Sequence, residues 1–545
     1  MKMRPYQENA IAGAFEAWKE NDSALIVLPT GLGKTVVFSE IVRQFQPTRA
    51  LVVAHREELI FQAAEKIKKV TGLDGGIEMG EYHADGGFFG TLPPYVVTTV
   101  QTQCSGGDGG GRMTKFLPQD FGLVVIDEAH HATANTYKRV IDYYRQNTKC
   151  KILGVTATPD RADEEALGQV FDTVAYEYQI LDAINQGWLV PVQQQMVTVE
   201  TMDFSNIRTT AGDLNQGELA EVMEEEDNLQ RVAVPTVEIC GERRAIVFAA
   251  TVKQAERLAE IMNRYRPDKA AWISGKTDKE DRRKILADFK TGKIQYVVNV
   301  GVLTEGFDDS GVEVIVMARP TKSRALYAQM AGRGTRPHDS IAHLLGDIET
   351  DAGRCAMIRD SAKPACLIVD FCGNAGRHKL VTSADILGGN ISDDVVEAAI
   401  REAKKSGQPL DMAEEIKKQQ KLADERRREE AARRAALQAR SNFMLTDIDP
   451  FNAWDITPAK ERGWDKGKRF TEKQSMVLMQ RIGVDPAKIP YGQGKQLLDE
   501  YFRRMSNGYA SLKQTKCLKR WGIRAPMRFK EASRFISGRA QAWQN

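Results

Sequence analysis

The sequence predicts an α/β protein with two tandem parallel-sheet domains, followed by a mainly helical, basic C-terminal region. Short apolar runs rich in β-branched residues recur along the first 380 residues, with helical patterns between them. Residues 460–545 contain 20 Lys and Arg against 7 Asp and Glu, whereas the rest of the chain carries 56 against 67. The predicted divisions are a first domain at 1–195, a connector at 196–235, a second domain at 236–380, a charged helical linker at 381–440 and a basic module at 441–545.

Length and composition favour a globular protein of the cytoplasm. The chain has 545 residues, of which 42% are hydrophobic and 28% charged. The sequence has no apolar run of the roughly 20 residues that a membrane span needs, and the N-terminal residues lack the apolar stretch of a signal peptide. Seven scattered cysteines, an odd number, favour a reducing compartment over a disulfide framework. We therefore expect a cytoplasmic protein without a membrane partner.

The first strand and helix enclose a glycine loop. SALIVL (23–28) predicts a buried strand, PTGLGKT (29–35) follows it, and VVFSEIVRQF (36–45) has helical spacing. This context indicates a phosphate loop rather than an ordinary glycine turn, although Leu28 stands where such loops usually begin with glycine. Lys34 would pair with the β- and γ-phosphates and Thr35 would hold Mg²⁺. The predicted ATP contacts in the loop are Pro29, Thr30, Gly31, Leu32, Gly33, Lys34 and Thr35.

Four more apolar strands end in polar residues, at 49–59, 95–102, 121–131 and 151–159. Parallel strands place their C-terminal ends at one edge of a sheet, where ligands bind. In the third of these segments, Asp127 follows four apolar residues and is predicted to meet Mg²⁺. Glu128 is placed to deprotonate the attacking water. A plain strand end is the alternative, and the nearby phosphate loop argues against it.

From residue 4 to about residue 380, this order of motifs resembles the DEAH-type helicases and translocases of superfamily two. The resemblance implies two RecA-like lobes with ATP and Mg²⁺ between them. It implies that Arg4 and Gln7 of RPYQENAI read the adenine. It implies nucleic-acid contacts for His55, Arg56, Thr99 and Gln101, and coupling of hydrolysis to movement by His130, Thr156 and Thr158.

A second lobe is predicted from strands within 244–262, 270–275, 294–309 and 312–320, followed by QMAGRGTRP (329–337). Arg333 and Arg336 are three residues apart, so on a helix both would lie on one face. They would supply the positive charge for phosphoryl transfer that the first lobe lacks, with Gln329 in the same motif; structural salt bridges are the alternative. The resemblance also implies that Thr251 and Thr304 contact nucleic acid and that Gly306 and Asp308 line the nucleotide cleft.

Several segments look closer to the RadD-like bacterial and phage DNA helicases than to the RNA-specific DEAD-box group. The segments are VFAATVKQAERL, YVVNVGVLTEGFD and IVDFCGNAGRH, and QMAGRGTR replaces the DEAD-box pattern H-R-x-G-R-x-x-R. RadD-like proteins carry a zinc site after the core. Here only Cys355, Cys366, Cys372 and His378 are candidates, and their wide spacing argues against zinc.

The basic module contains a weak internal repeat. TEKQSMVLMQRIGVDP (471–486) and SLKQTKCLKRWGIRAP (511–526) share K-Q, a leucine and a proline, and the glycine is displaced by one residue. Thr471 and Ser511 are predicted helix caps. Basic residues among aromatic ones would contact nucleic acid, and docking of a protein is the alternative. The aromatic residues are Tyr501, Tyr509, Trp521 and Trp543.

Together these features predict an ATP-dependent DNA helicase or translocase that acts on single-stranded or forked DNA. A motor that tracks on duplex DNA without separating strands is the nearest alternative, and an RNA helicase is disfavoured. A nucleic-acid clamp or recruitment factor that uses ATP only as a switch is a further alternative. The presence of Glu128, Arg333 and Arg336 argues against the clamp, since a clamp does not need them.

Overall fold

The computed structural model describes most of the chain. The described residues are 3–55, 57–84, 92–105, 111–157, 167–210, 212–304, 306–375, 380–388, 391–438, 449–459, 465, 467–520, 523 and 527–541. Within these ranges, no helix has both the length and the apolar character needed to cross a membrane. The chain divides into two compact units, Met1–Ala423 and Asp424–Asn545. We call the second the C-terminal unit.

The first unit begins with a lobe built on a seven-stranded parallel sheet, which we call lobe 1. Its strands are β1 Ser23–Val27, β2 Ala50–Ala54, β3 Gly76–Glu78, β4 Tyr95–Thr99, β5 Leu123–Asp127, β6 Lys151–Thr156 and β7 Thr173–Glu177. They lie in the order β3-β4-β2-β5-β6-β1-β7. Strands β1, β2 and β4 are buried along their whole length, as expected of parallel strands covered by helices on both faces. The surrounding helices are α1 Pro5–Ala17, α2 Lys34–Gln44, α3 Glu57–Thr71, α4 Val100–Cys104, α5 Asn135–Tyr144 and α6 Ile180–Asn185.

Lobe 2 contains a second seven-stranded sheet. Its strands are β8 Val192–Asp203, β11 Ala245–Ala249, β12 Ala270–Ile273, β13 Tyr296–Asn299, β14 Val314–Ala318, β15 Cys366–Asn374 and β16 Leu410–Asp411, and a separate hairpin pairs β9 Thr209–Thr210 with β10 Asp213–Leu214. The order is β12-β13-β11-β14-β15-β8-β16, parallel except that β16 runs antiparallel to β8. These two sheets confirm the predicted fold class.

The helices of lobe 2 lie around this sheet. They are α7 Gln216–Met223, α8 Glu226–Cys240, α9 Val252–Tyr265, α10 Lys279–Lys290, α11 Arg324–Ala331, α12 Asp339–Ala342, α13 Asp351–Arg359, α14 Ser383–Gly388, α15 Asp393–Ser406 and the first part of α16 Met412–Gln438. The residues of α16 from Asp424 on belong to the C-terminal unit.

The structure differs from two of the predicted divisions. The segment 196–235, predicted to connect the domains, supplies most of β8, which pairs with β15 inside the second sheet. The segment 381–440, predicted to be a solvated linker, begins with α14 and α15, and α15 buries Val395, Val396, Ala399 and Ala403. Because these apolar side chains pack in the core, the segment up to Ala423 is part of the first unit.

The C-terminal unit is helical, as predicted. It contains α17 Pro450–Trp454, α18 Glu472–Val477, α19 Tyr491–Ser506, α20 Leu512–Arg520 and α21 Phe529–Gln541. Its main core packs Phe451, Trp454, Leu478 and Leu497, among others.

The structure confirms the internal repeat. Thr471 and Ser511 begin α18 and α20 in the same way, because each backbone N–H donates to a glutamine three residues on, at 2.9 Å in both cases. The first repeat has one more residue before its glycine, and there the chain forms a π-helical turn at Leu478–Ile482. A one-residue insertion into a helix is accommodated by such a turn.

Candidate active site

The phosphate loop joins β1 to α2 through two glycines with positive φ, Gly31 at 92° and Gly33 at 80°. A Cβ at Gly33 would also lie 2.9 Å from Gln7 Nε2, so glycine is required there for both conformation and space. Leu28, which departs from the usual glycine, is fully buried, and its N–H donates to the Thr156 carbonyl at 2.9 Å. The departure is tolerated because this position belongs to the sheet core rather than to the phosphate cradle.

Glu128 lies in a strained turn at the end of β5. Its φ of 49° and ψ of 54° are left-handed, a conformation that costs a non-glycine residue about 1–3 kcal/mol. Its N–H donates to Asp127 Oδ1 at 3.0 Å, and its Oε1 lies 3.7 Å from Lys34 Nζ. Glu128 Oε2 is buried and accepts no hydrogen bond from the part of the chain described here. An acceptor left unpaired in this way is suited to a water molecule that must lose a proton.

The surrounding charges keep this carboxylate ionised. Burial alone would raise the pKa of Glu128, but nearby positive charges, among them those of Lys34 and Arg333, outweigh burial and lower the pKa. Burial lowers the pKa of His130, so its imidazole is neutral at neutral pH. Burial also lowers the pKa of Arg336, to about 10, which leaves the guanidinium protonated. A carboxylate base and a cation therefore coexist in this cleft.

Three histidine rings lie in a row beside Glu128, with His55 stacked on His131 and His130 tilted by 45° against His131. The His55 and His131 ring centroids are 4.0 Å apart and nearly parallel, and those of His131 and His130 are 4.1 Å apart. His130 Nδ1 lies 3.2 Å from Thr156 Oγ1 and 3.5 Å from Glu128 Oε2. The stack thus extends from the end of β2 to the carboxylate of Glu128.

Lobe 2 meets the phosphate loop through the segment that follows α11. A Cβ added at Gly332 would lie 2.6 Å from Thr30 Cβ, so only glycine permits this approach of the two lobes. A Cβ added at Gly31 would lie 3.1 Å from Arg336 Cγ. Arg336 also forms an ion pair with Asp308. Arg333 donates to the carbonyls of Thr304 and Phe307, at 2.6 Å each. Both arginines therefore lie in the cleft between the lobes, held there by Thr304, Phe307 and Asp308.

The predicted adenine-reading residues support the same loop from the other side. Gln7 Nε2 donates to the Leu32 carbonyl at 3.0 Å, and Gln7 Oε1 accepts from the Arg4 N–H at 3.0 Å. The Arg4 guanidinium lies over the Trp188 ring and donates to the Ala342 carbonyl of lobe 2 at 3.2 Å. Contact between these residues and an adenine stays a prediction.

The predicted nucleic-acid contacts are spread over both lobes. Thr99 caps α4 and Thr251 caps α9, and Thr251 also donates to Glu224 Oε1 at 2.6 Å. Thr304 is buried, whereas Gln101 is exposed on α4. Arg56 lies outside the described residues, as does Thr158, which was predicted to couple hydrolysis to movement. For all six predicted contacts a nucleic-acid role stays a prediction.

Sequence reasoning missed three residues that join this site. His131 links His55 to His130, and Tyr137 Oη lies 3.4 Å from His55 Nδ1. Tyr6 donates to the Leu32 carbonyl at 3.2 Å and stacks on Tyr178. The doubled histidine in DEAHH was a signal for His131, but nothing in the local pattern singles out either tyrosine.

The residues present fit a nucleotide with Mg²⁺. The loop glycines and the start of α2 form a phosphate cradle. The Thr35 hydroxyl and the Asp127 carboxylate are oxygen ligands of the kind that Mg²⁺ prefers; Thr35 lies in the first turn of α2, and Asp127 is the last residue of β5. Across the described ranges, no cluster of three or more His, Cys, Asp or Glu could hold a metal ion, and His378 of the disfavoured zinc set lies outside them.

Two family models match the chain. Residues 1–161 match the model described as "Type III restriction enzyme, res subunit", and residues 227–338 match "Helicase conserved C-terminal domain". The chain is 28% identical over 497 residues to the Saccharomyces cerevisiae protein named "Putative ATP-dependent helicase IRC3", an alignment that covers 87% of this chain and 65% of that protein. It is 24% identical to "DNA 3'-5' translocase XPB2" of Sulfurisphaera tokodaii, over 63% of this chain and 81% of that protein.

Among solved structures, a fragment of an HsdR subunit of a type I restriction enzyme from Vibrio vulnificus is similar at 20% identity and a TM-score of 0.49, over 68% of this chain and 64% of that one. The chain spans just under two thirds of the yeast relative. The first model matches lobe 1, and the second matches most of the chain between α8 and the start of α12 in lobe 2. The two models and the yeast relative bear out the predicted resemblance to the superfamily-two helicases.

Proposed function

We propose that this chain is an ATP-driven motor that moves along DNA by closing and opening its two lobes. The observation that carries the proposal is the shared site: the phosphate loop and Glu128 belong to lobe 1, and Arg333 and Arg336 reach them from lobe 2. Because neither lobe holds all the groups that hydrolysis needs, turnover depends on lobe closure.

In the proposed reaction, Lys34 and the loop N–H groups hold the phosphates. Glu128 accepts a proton from water, whose oxygen bonds to the γ-phosphorus while the bond from that phosphorus to the β–γ bridging oxygen breaks, giving ADP and inorganic phosphate. Arg336 stabilises the charge on the transferring group. Mg²⁺, held by Thr35 and Asp127, would neutralise charge on the β- and γ-phosphates.

Movement follows from the same geometry. Bound ATP joins the lobes through the two arginines, and loss of the γ-phosphate removes what they hold. A strand that contacts both lobes is then gripped in turn by each. DNA is favoured over RNA as the track because QMAGRGTR departs from the DEAD-box pattern and because one relative is named as a DNA translocase.

The test is the ATP hydrolysis rate of the purified chain alone and with single-stranded DNA, duplex DNA or single-stranded RNA. Strong stimulation by single-stranded DNA supports the proposal. Stimulation by duplex alone favours a translocase that does not separate strands, and stimulation by RNA alone overturns the choice of DNA. No stimulation by any of them favours the clamp.

The proposed base is tested with Glu128→Gln, which keeps the size of the side chain and removes the base. We expect this variant to bind ATP as the wild type does and to lose roughly 10²–10⁴-fold in turnover. Binding is measured by fluorescence of a nucleotide analogue and turnover by phosphate release. Turnover at the wild-type rate would assign the base to another residue.

A further inference from the structure

The C-terminal unit exposes three large apolar side chains on neighbouring segments of backbone. Phe502, Met505 and Phe529 are 46%, 62% and 51% exposed. We call these three residues, two of which are aromatic, the aromatic patch. A group of exposed apolar side chains is a candidate contact surface, and its chemistry and surroundings decide what it fits.

Backbone hydrogen bonds hold the patch together. Phe502 and Met505 are three residues apart on α19 and so share one face of the helix. The Gly508 N–H donates to the Met505 carbonyl at 3.2 Å, and the Gly508 carbonyl accepts from the Phe529 N–H at 2.8 Å. A Cβ added at Gly508 would meet no atom within 4 Å among the described residues, so the space beside the patch is open.

Positive charge surrounds the patch. Arg503 precedes Met505 on α19, and Arg528 and Lys530 flank Phe529; all three are exposed. The nearby carboxylates are engaged: Glu500 pairs with Arg503 and Arg504, and Glu531 accepts from the Arg528 N–H. Asp499 lies three residues before Phe502 on the same helix, so four cations against three carboxylates leave the surroundings net positive by one charge.

We propose that the aromatic patch binds single-stranded nucleic acid, with bases stacked on Phe502 and Phe529 and phosphates beside Arg503, Arg528 and Lys530. Rings next to cations are how strand-binding surfaces grip a polyanion without reading its sequence. The patch exposes about 100 Å² per side chain, well below the roughly 800 Å² that each partner of a stable protein complex contributes. Its size suits one or two bases better than a protein.

This inference extends the proposed function to a second strand contact outside the two lobes. It can fail separately, because binding at the patch needs no ATP. The full-length chain is titrated into a fluorescent oligo(dT) without nucleotide, as wild type and as the double variant Phe502→Ala/Phe529→Ala. We expect the variant to bind at least tenfold more weakly, since each stacked base contributes about five-fold or more.

A matched control separates stacking from general surface change. Met476 and Met479 are also about half exposed in this unit, at 51% and 53%, but neither carries a ring. Met476→Ala/Met479→Ala should bind oligo(dT) like the wild type, and Phe502→Trp/Phe529→Trp should keep the affinity. Equal loss in the methionine and phenylalanine variants would overturn the assignment.

Further measurements place the contact directly. Oligonucleotides carrying 5-iodouracil crosslink to aromatic side chains on which the base stacks, and we expect crosslinked peptides that contain Phe502 or Phe529.

Unchanged affinity in the alanine variant, or an equal loss of affinity for blunt duplex, would overturn the proposal. If an acidic peptide binds the wild type but not the variant while oligo(dT) binding is unchanged, the patch is a protein-docking surface and the proposal is wrong. A chain that binds oligo(dT) through the patch without stimulated hydrolysis would overturn the motor and keep this inference.

Discussion

The ring of His131 lies between a predicted strand-binding residue and the proposed catalytic base. Its centroid is 4.0 Å from that of His55, which directly follows β2, and 4.1 Å from that of His130, whose Nδ1 lies 3.5 Å from Glu128 Oε2. A movement of His55 when a strand binds would shift the neighbouring rings, because close-packed groups transmit displacement. We infer that His131 positions His130, and through it Glu128, in response to nucleic acid.

Removing this ring should uncouple the two sites. We expect His131→Ala to lower nucleic-acid-stimulated hydrolysis by roughly 3–30-fold, the range that coupling residues show. The Michaelis constant for ATP should stay near the wild-type value, because the phosphate loop is untouched. His131→Phe keeps the stack and should restore most of the stimulation. Steady-state kinetics with and without DNA measure both constants.

The same variants show what would contradict this role. If His131→Ala keeps full stimulation, the stack carries no coupling. If His131→Phe is as poor as His131→Ala while both unfold at the wild-type temperature, the nitrogens of the ring and not its stacking are required.

At the scale of elements, a buried carboxylate ties the arginine-bearing segment to the second sheet. Asp370 on β15 accepts from the Tyr327 hydroxyl of α11 at 2.8 Å and from the Gln194 amide of β8. Ser383 donates to Gln194 Oε1 at 2.6 Å, which adds α14 to the cluster. This cluster anchors α11 against the second sheet. Arg333 lies two residues after the end of α11, so its position depends on that anchor.

The cluster predicts a pH dependence of stability. Burial raises the pKa of Asp370 to about 6 despite its two donors. A raised folded-state pKa means that the folded chain holds the proton more tightly, so this stabilisation is complete below pH 4 and is lost as pH rises through about 6. Between these limits the wild type should lose about 3 kcal/mol relative to Asp370→Asn. Thermal unfolding midpoints of both proteins across pH 4–8 measure the difference.

A second variant checks the cause of this dependence. Tyr327→Phe removes one donor to the carboxylate and should raise the pKa of Asp370 further, so that the loss of stability occurs at higher pH. A pH-independent difference between wild type and Asp370→Asn would contradict the assignment.

Some elements could be predicted from the sequence and others could not, for physical reasons. Strands β1, β2, β5 and β14 are continuous apolar runs, so their ends fix where the motif residues lie. Strand β8 alternates mostly buried residues with more exposed ones along VQQQMVTV. Because many of these residues are polar, the segment does not form the continuous apolar run by which the other strands were predicted. Helix α15 was assigned to a solvated linker because charges outnumber its four buried apolar residues.

The site shows the same division. The strand–glycine loop–helix order predicted Lys34 and Thr35 because local chain order alone places them. The contacts of Gly332 with Thr30 and of His131 with His55 join residues far apart in sequence. Only the packing of one lobe on the other, or of one strand end on the next, brings such residues together, so no local pattern could reveal them.

At the scale of the whole molecule, charge is divided unequally between the last 86 residues, which lie within the C-terminal unit, and the rest of the chain. The last 86 residues carry 20 Lys and Arg against 7 Asp and Glu, while the remainder is net acidic. An acidic motor gains little from the general attraction of phosphates, which depends on cations near the strand. The C-terminal unit is therefore expected to supply most of the salt-dependent part of nucleic-acid binding.

Deletion of residues 441–545 tests this division of labour. Each phosphate contact that is lost lowers the slope of log K against log salt by about 0.7 for single strands. We expect the truncated chain to bind single-stranded DNA more weakly and with a shallower slope, while its hydrolysis without DNA stays near that of the full chain because the nucleotide site lies wholly within the first unit. Titrations between about 50 and 200 mM salt measure the slope. An unchanged slope would place the phosphate contacts on the two lobes and leave the basic surface of the C-terminal unit to a protein partner.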